Sequence, residues 1–158
     1  MVGPNPTDRA KSGVKRSLLV EADGGPLAVV IAGANVPDAK LLAATLDAVV
    51  VERPPVEDGW EQHLCLDKGY DNDAGWGACV DRDYVPHIAL IRPPAERPTR
   101  PKRHKPRRWV VERTLAWLSK CRALLIRWDK HADNYLGLLK LACALLWFRR
   151  YHRLANLR

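Results

Sequence analysis

The chain has 158 residues, enough for one domain with a buried core and too few for two large ones. An apolar fraction of 47% beside a charged fraction of 28% excludes a disordered polyelectrolyte. The net charge of +8 is unevenly spread: residues 1–95 hold 9 Lys/Arg against 14 Asp/Glu, and residues 96–158 hold 17 against 4. Such asymmetry points to a polyanion partner for the C-terminal part, although solvated helix faces would give the same count.

Cys65, Cys79, Cys121 and Cys143 form no CxxC pair and no zinc-ligand spacing, so they read as core thiols in a reducing compartment. The five histidines are scattered. Met1 leads into a polar, Pro/Gly-rich stretch without the apolar core of a secretory signal. The longest strongly apolar run, Leu141–Phe148, is far short of the ~20 residues a membrane span needs. A cytoplasmic protein with no membrane partner is expected.

In chain order, residues 1–16 are turn-rich and basic and are expected to form a loop. Two apolar segments, Ser17–Glu21 and Leu27–Ile31, flank Asp23-Gly24-Gly25-Pro26, the pattern of a β-hairpin. Leu41, Leu42, Thr45, Leu46 and Val49 then fall at helical spacing after Pro37-Asp38. His63–Leu66 reads as a short strand ending at Asp67, and Asp71–Arg82 as a helix despite Gly75 and Gly77. Val85–Ile91 reads as another strand, which closes a sheet region over 17–92. Residues 93–107 hold five prolines and a run of bases, a loop by composition. A helix starts at Trp109 within a C-terminal segment, 108–158. A last helix, from about Ala132 to His152, is apolar enough between Leu136 and Phe148 to be buried. The order predicts a mixed α/β domain.

Two acids stand where chemistry could be done. Asp67 follows a strand, where the acids of α/β sheets project into a ligand crevice, although a solvated turn Asp would look the same. Glu112 lies near the edge of an apolar helix face, one turn after Arg108. A plain Arg–Glu surface pair, worth only ~0.3–0.5 kcal/mol, is the competing reading. Together the two fit Mg²⁺ chemistry, because hard ions take carboxylate oxygens and keep waters for phosphate oxygens to replace. Such a two-ion site usually needs three carboxylates. The acid-free run Arg97, Arg100, Lys102, Arg103, Lys105, Arg107 and Arg108 would set phosphate-neutralising charge beside it, with Arg113 and Lys120 further along. Trp109, Trp117 and Trp128 lie among these bases and either pack in the core or stack on an unpaired base.

Three separated motifs resemble those of bacterial insertion-sequence DDE transposases of the insertion-sequence-five/four type. Gly3-Pro4-Asn5-Pro6-Thr7-Asp8-Arg9 with Gly13-x-Lys15-Arg16 is similar to the stretch after that family's first catalytic strand. Leu66-Asp67-Lys68-Gly69-Tyr70-Asp71 looks like its second-aspartate motif, and Trp109-Val110-Val111-Glu112-Arg113-Thr114 its glutamate helix. The ending Leu141-Ala142-Cys143-Ala144-Leu145 is also similar, so the likeness spans essentially the whole chain.

The resemblance implies a ribonuclease H-like mixed sheet with C-terminal helices. It implies two Mg²⁺ or Mn²⁺ ions, hydrolysis that frees element 3′ ends, and strand transfer to target DNA. Its DNA partners would be terminal inverted repeats and a target site, and the complete protein would be a homo-oligomer. Asp67 maps onto the second acid, Glu112 onto the third, and Arg108 onto the arginine one turn before it. The family's upstream tyrosine would fall at Lys105, and its lysine after the glutamate at Ser119, beside Lys120. The first aspartate lies upstream of the Gly3–Arg9 motif, and Asp8 and Asp23 are poor substitutes. The chain is therefore expected to be a C-terminal part, either a second reading frame or a truncated remnant, lacking the sheet's first, central strand. It is expected to be inactive alone and to work with the upstream transposase segment. A non-catalytic DNA-binding remnant, or a regulator of the full-length enzyme, is the alternative.

Overall fold

The computed structural model describes residues 2–55, 60–89, 91 and 109–156. Strand β1 (Gly3–Pro4) pairs antiparallel with β2 (Ser12–Val20), which pairs antiparallel with β3 (Pro26–Gly33). Helix α1 (Asp38–Asp47) follows. Strand β4 (Gln62–Leu66) leads through a 3₁₀ turn (Lys68–Tyr70) into α2 (Asp73–Val80) and then β5 (Tyr84–Ile88), parallel to β4. Helices α3 (Trp109–Ser119), α4 (Arg122–Leu125) and α5 (Ala132–Ala155) complete the order. The domain is mixed α/β, as the alternation of patterns predicts.

The expected hairpin is present and longer than its apolar segments suggest. Residues 1–16 are not the expected loop, because Gly3–Pro4 and Ser12–Arg16 are strand. Backbone pairing Val14↔Gly33 through Arg16↔Ile31 extends the ladder under basic side chains, which a polarity pattern does not register. The turn is held by Glu21. Its carboxylate accepts from the Asp23 and Gly25 amides at 2.8 and 2.6 Å, and Gly24 supplies a φ of +94°.

The described strands form two sheets. One has the order β1-β2-β3 and the other β4-β5. Two apolar clusters lie against them. Leu42, Leu46, Leu64, Ala78 and Cys79 join α1, β4 and α2. Val29, Leu118, Leu124, Tyr135, Leu139, Ala142 and Cys143 join β3 to the C-terminal helices.

Three expectations of burial need correction. Helix α5 is not wholly buried: Tyr135, Leu139, Ala142 and Cys143 face the core, while Leu138, Leu141, Leu145 and Phe148 are exposed. A uniformly apolar run hides which stripe has a partner. Cys65 and Cys121 are exposed, and only Cys79 and Cys143 are core thiols. Burial pushes the Cys143 thiol up to about 11. Trp109, Trp117 and Trp128 stay exposed instead of packing in the core. No helix among the described residues is long and apolar enough to cross a membrane.

Candidate active-site cleft

Strand β2 pairs with β1 only at Ser12 and Gly13, and β4 pairs only with β5 among the described strands. The second edges of both therefore lack a described strand partner. Between them lies a cleft of about 1040 Å³. Arg16–Val20 of β2 line one part, Gln62–Leu66 of β4 another, and Val110–Glu112 with Leu115 of α3 a third. Asp67 lines it too, so the structure brings Asp67 and Glu112 to one cavity.

Asp67 follows β4 directly. Its backbone is extended, and its Oδ1 accepts from the Gly69 amide at 2.6 Å, capping the 3₁₀ turn. A Cβ on Gly69 would stand 2.9 Å from that oxygen, so a side chain there would push the Asp67 carboxylate aside. Tyr70 packs against the Leu42–Leu64 cluster. Burial, then the negative charges of Asp38 and Asp67, push its phenol up to about 12. Asn72 caps α2 by accepting from the Gly75 amide at 2.9 Å. A Cβ on Gly75 would come 2.2 Å from the Tyr70 carbonyl. The glycine that weakens α2 as a helix is what lets it seat on the turn carrying Asp67.

Glu112 sits exposed in the first turn of α3. Arg97, Arg100, Lys102, Arg103, Lys105, Arg107 and Arg108 lie outside the described residues, so the Arg108–Glu112 pairing does too. Arg113 is half-buried and donates to the Asp23 carbonyl, with its guanidinium over the rings of Trp109 and Trp117. It fastens α3 to the hairpin. Lys120 is exposed just beyond α3.

Sequence reasoning passed over several groups in the cleft. Arg16 donates to the Ser119 hydroxyl at 3.0 Å, which brings a cation to the place where Ser119 itself offers none. The Gly13-x-Lys15-Arg16 motif was the available signal. His63 and His87 meet at 2.9 Å between their ring nitrogens because β4 and β5 are parallel neighbours, a pairing no linear spacing reveals. Glu21 and Asp38 line the cleft as well. Burial opposes the charge on Glu21, but bonds from the Asp23 and Gly25 amides and from Arg150 outweigh it and lower its pKa. Asp38 pairs with Lys15 at 3.2 Å. Asp8 pairs with Lys11, and Asp23 with Arg150, and neither lines the cleft.

Residues 3–147 match the Transposase DDE domain family. The chain belongs to the DDE transposase family. It is 39% identical to a Burkholderia cepacia protein named as a transposase for insertion sequence element IS402, over 96% of this chain and 70% of that protein. No solved structure matches.

DDE transposases transfer phosphoryl groups on DNA and use divalent ions. The donors of this transposase chain suit such ions in kind, since Asp67 and Glu112 are hard oxygen ligands beside one cleft. They do not suffice in number. Among the described residues no group of three or more His, Cys, Asp or Glu side chains could hold a metal. A two-ion site is ordinarily held by three carboxylates.

Proposed function

We propose that this chain provides two of the three acids, Asp67 and Glu112, of a DNA strand-cleaving and strand-transferring site. Its 158 residues would then be part of a ribonuclease H-like domain, a mixed sheet whose central strand is supplied by a further transposase segment lying between β2 and β4. The observation that carries this reading is the shared cleft: both acids line it, and its walls include two strand edges with no described partner. An inserted strand would stand about 4.8 Å from each neighbour and join the two sheets into one. Its backbone would satisfy edge groups that otherwise remain open. A third carboxylate on that strand would complete the ligand set.

In the complete site, Mg²⁺ or Mn²⁺ would neutralise developing phosphoryl charge and lower the pKa of the attacking water or 3′ hydroxyl. The chain's own groups hold the geometry. The Gly69 amide orients the Asp67 carboxylate, and α3 holds Glu112 at the cleft. Arg16 brings a cation to the same cavity, where phosphate oxygens would lie. The bases of 97–108 and Lys120 would neutralise flanking phosphates of the element ends and the target, in the cytoplasm where that DNA is found. The incomplete ligand set favours a chain that binds DNA without cutting it when alone, the behaviour of a remnant or regulator.

The test is an Mg²⁺ or Mn²⁺ cleavage assay on element-end DNA, with and without the upstream segment, in cis or as a separate polypeptide. Cleavage should appear only with the segment and should vanish in Asp67→Ala and in Glu112→Ala. Cleavage by the isolated chain would refute the missing-acid reading. Cleavage by the complemented protein that survives either substitution would refute the site.

A further inference from the structure

Strands β4 and β5 bring two imidazoles together at the cleft wall. His63 Nδ1 and His87 Nε2 lie 2.9 Å apart, with ring centroids at 4.9 Å and planes inclined by 52°. The chemistry assigned to Asp67 and Glu112 does not use them. His63 precedes Asp67 by four residues, about 13 Å along an extended strand. The separation of the two nitrogens is fixed by the backbone on both sides. The parallel register sets His63 opposite Val85 and Cys65 opposite His87. At the start of both strands, Arg53 donates to the Gln62 side chain at 2.8 Å and to the Arg82 carbonyl at 2.7 Å, with its guanidinium carbon 3.9 Å from the Tyr84 ring centre. Gln62 and Tyr84 are register partners, so this clamp holds the first pair of the ladder.

We propose that His63 and His87 chelate one divalent transition ion of the Ni²⁺ or Cu²⁺ class, which ties β4 to β5. Imidazole nitrogens bind such ions at about 2.0–2.1 Å. Two nitrogens 2.9 Å apart then subtend about 90° at the ion, the cis angle of tetragonal Ni²⁺ and Cu²⁺. Tetrahedral Zn²⁺ needs them about 3.3–3.4 Å apart and binds less well. Mg²⁺ takes oxygen ligands and does not compete.

In the metal-free pair one facing nitrogen carries the proton that the other accepts. On chelation that proton moves to the far nitrogen of its own ring. Both facing nitrogens then present lone pairs, and no net proton is released. A plain hydrogen bond between the rings gains little at a wetted cleft wall, since water offers each ring the same bond. What the fold adds is preorganisation: the ladder and Arg53 hold both donors at chelating distance before the ion arrives. Among the described residues no third His, Cys, Asp or Glu joins them in a metal-binding group, so water completes the coordination shell and the ion is exchangeable.

Calorimetric titration of Ni²⁺ into the tag-free full chain, in a Cys65→Ser/Cys121→Ser background that removes the exposed thiols, tests this. One ion per chain is expected. His63→Gln and His87→Gln should each weaken binding by at least about tenfold, and the double variant should be little worse than either, because both nitrogens serve one ion. An excess of Mg²⁺ of about a hundredfold should not displace it. Saturating Ni²⁺ should raise the thermal midpoint by about 5 °C, and not in the histidine variants. Asp67→Asn should bind Ni²⁺ as the parent does, which separates this site from the acids. With Cu²⁺, electron paramagnetic resonance of the parent should show hyperfine splitting from two imidazole nitrogens, a readout that needs no variant to fold. No binding by the parent, binding that survives in the double variant, displacement by Mg²⁺, loss of binding in Asp67→Asn, or a Cu²⁺ spectrum without nitrogen splitting would each overturn the proposal.

Discussion

The Thr114 hydroxyl donates to the Gly24 carbonyl at 2.8 Å, buried, and so ties the glutamate helix to the hairpin turn. Thr114 lies two positions after Glu112, so this bond and the Arg113–Asp23 contact set the height of Glu112 at the cleft. Thr114→Val keeps the shape and removes the donor, leaving the carbonyl unpaired. A destabilisation of about 1–2 kcal/mol is expected in urea unfolding. Gly24→Ala should cost more, about 2–3 kcal/mol, because φ is +94° and a Cβ would stand 2.9 Å from the same hydroxyl oxygen. Equal stability of either variant with the parent would show that α3 is positioned by other contacts.

Tyr70 gives a pH signature. Its folded pKa of about 12 exceeds the unfolded value near 10, so the native state holds the phenolic proton more tightly. The stability linked to it is fully present below pH 10 and is lost as pH rises towards 12. Urea midpoints measured between about pH 8 and 11, a range reaching into that window, should fall less steeply for Tyr70→Phe than for the parent. Parallel declines would mean that the phenol is not buried beside Asp38 and Asp67.

The basic segment predicts a salt dependence. Replacing Arg100, Lys102, Arg103 and Lys105 with Ala should weaken DNA binding and lower the slope of log K against log salt by up to about 3–4, at roughly 0.9 for each phosphate no longer neutralised. Fluorescence anisotropy on duplex DNA between about 50 and 200 mM salt measures it. An unchanged slope would move the DNA surface elsewhere.

What the sequence revealed follows from the range of the interactions involved. Asp67 at a strand end, the hairpin and the Glu112 helix are local patterns, and the structure has all of them. The edge left open along β2 and β4 was legible only through the family resemblance, since no local pattern states which strands are neighbours. The outward stripe of α5 is hidden in the sequence because Leu138 and Leu139 look alike there, and only Leu139 meets the core. The meeting of His63 with His87, and of Arg16 with Ser119, depends on strand register and on how α3 lies over β2. Gly75 has the look of a helix breaker because the Tyr70 carbonyl it accommodates belongs to another element.

The central claim is that Asp67 and Glu112 act on the same metal ions. Mn²⁺ binding to the protein complemented with its upstream segment, followed by electron paramagnetic resonance of free Mn²⁺, tests it through a double-mutant cycle. Asp67→Asn and Glu112→Gln should each weaken binding by at least about tenfold, and the double variant should be little worse than either alone, because ligands of one site are energetically coupled. Independent losses that add in full, or Mn²⁺ affinity unchanged in either single variant, would contradict a shared site.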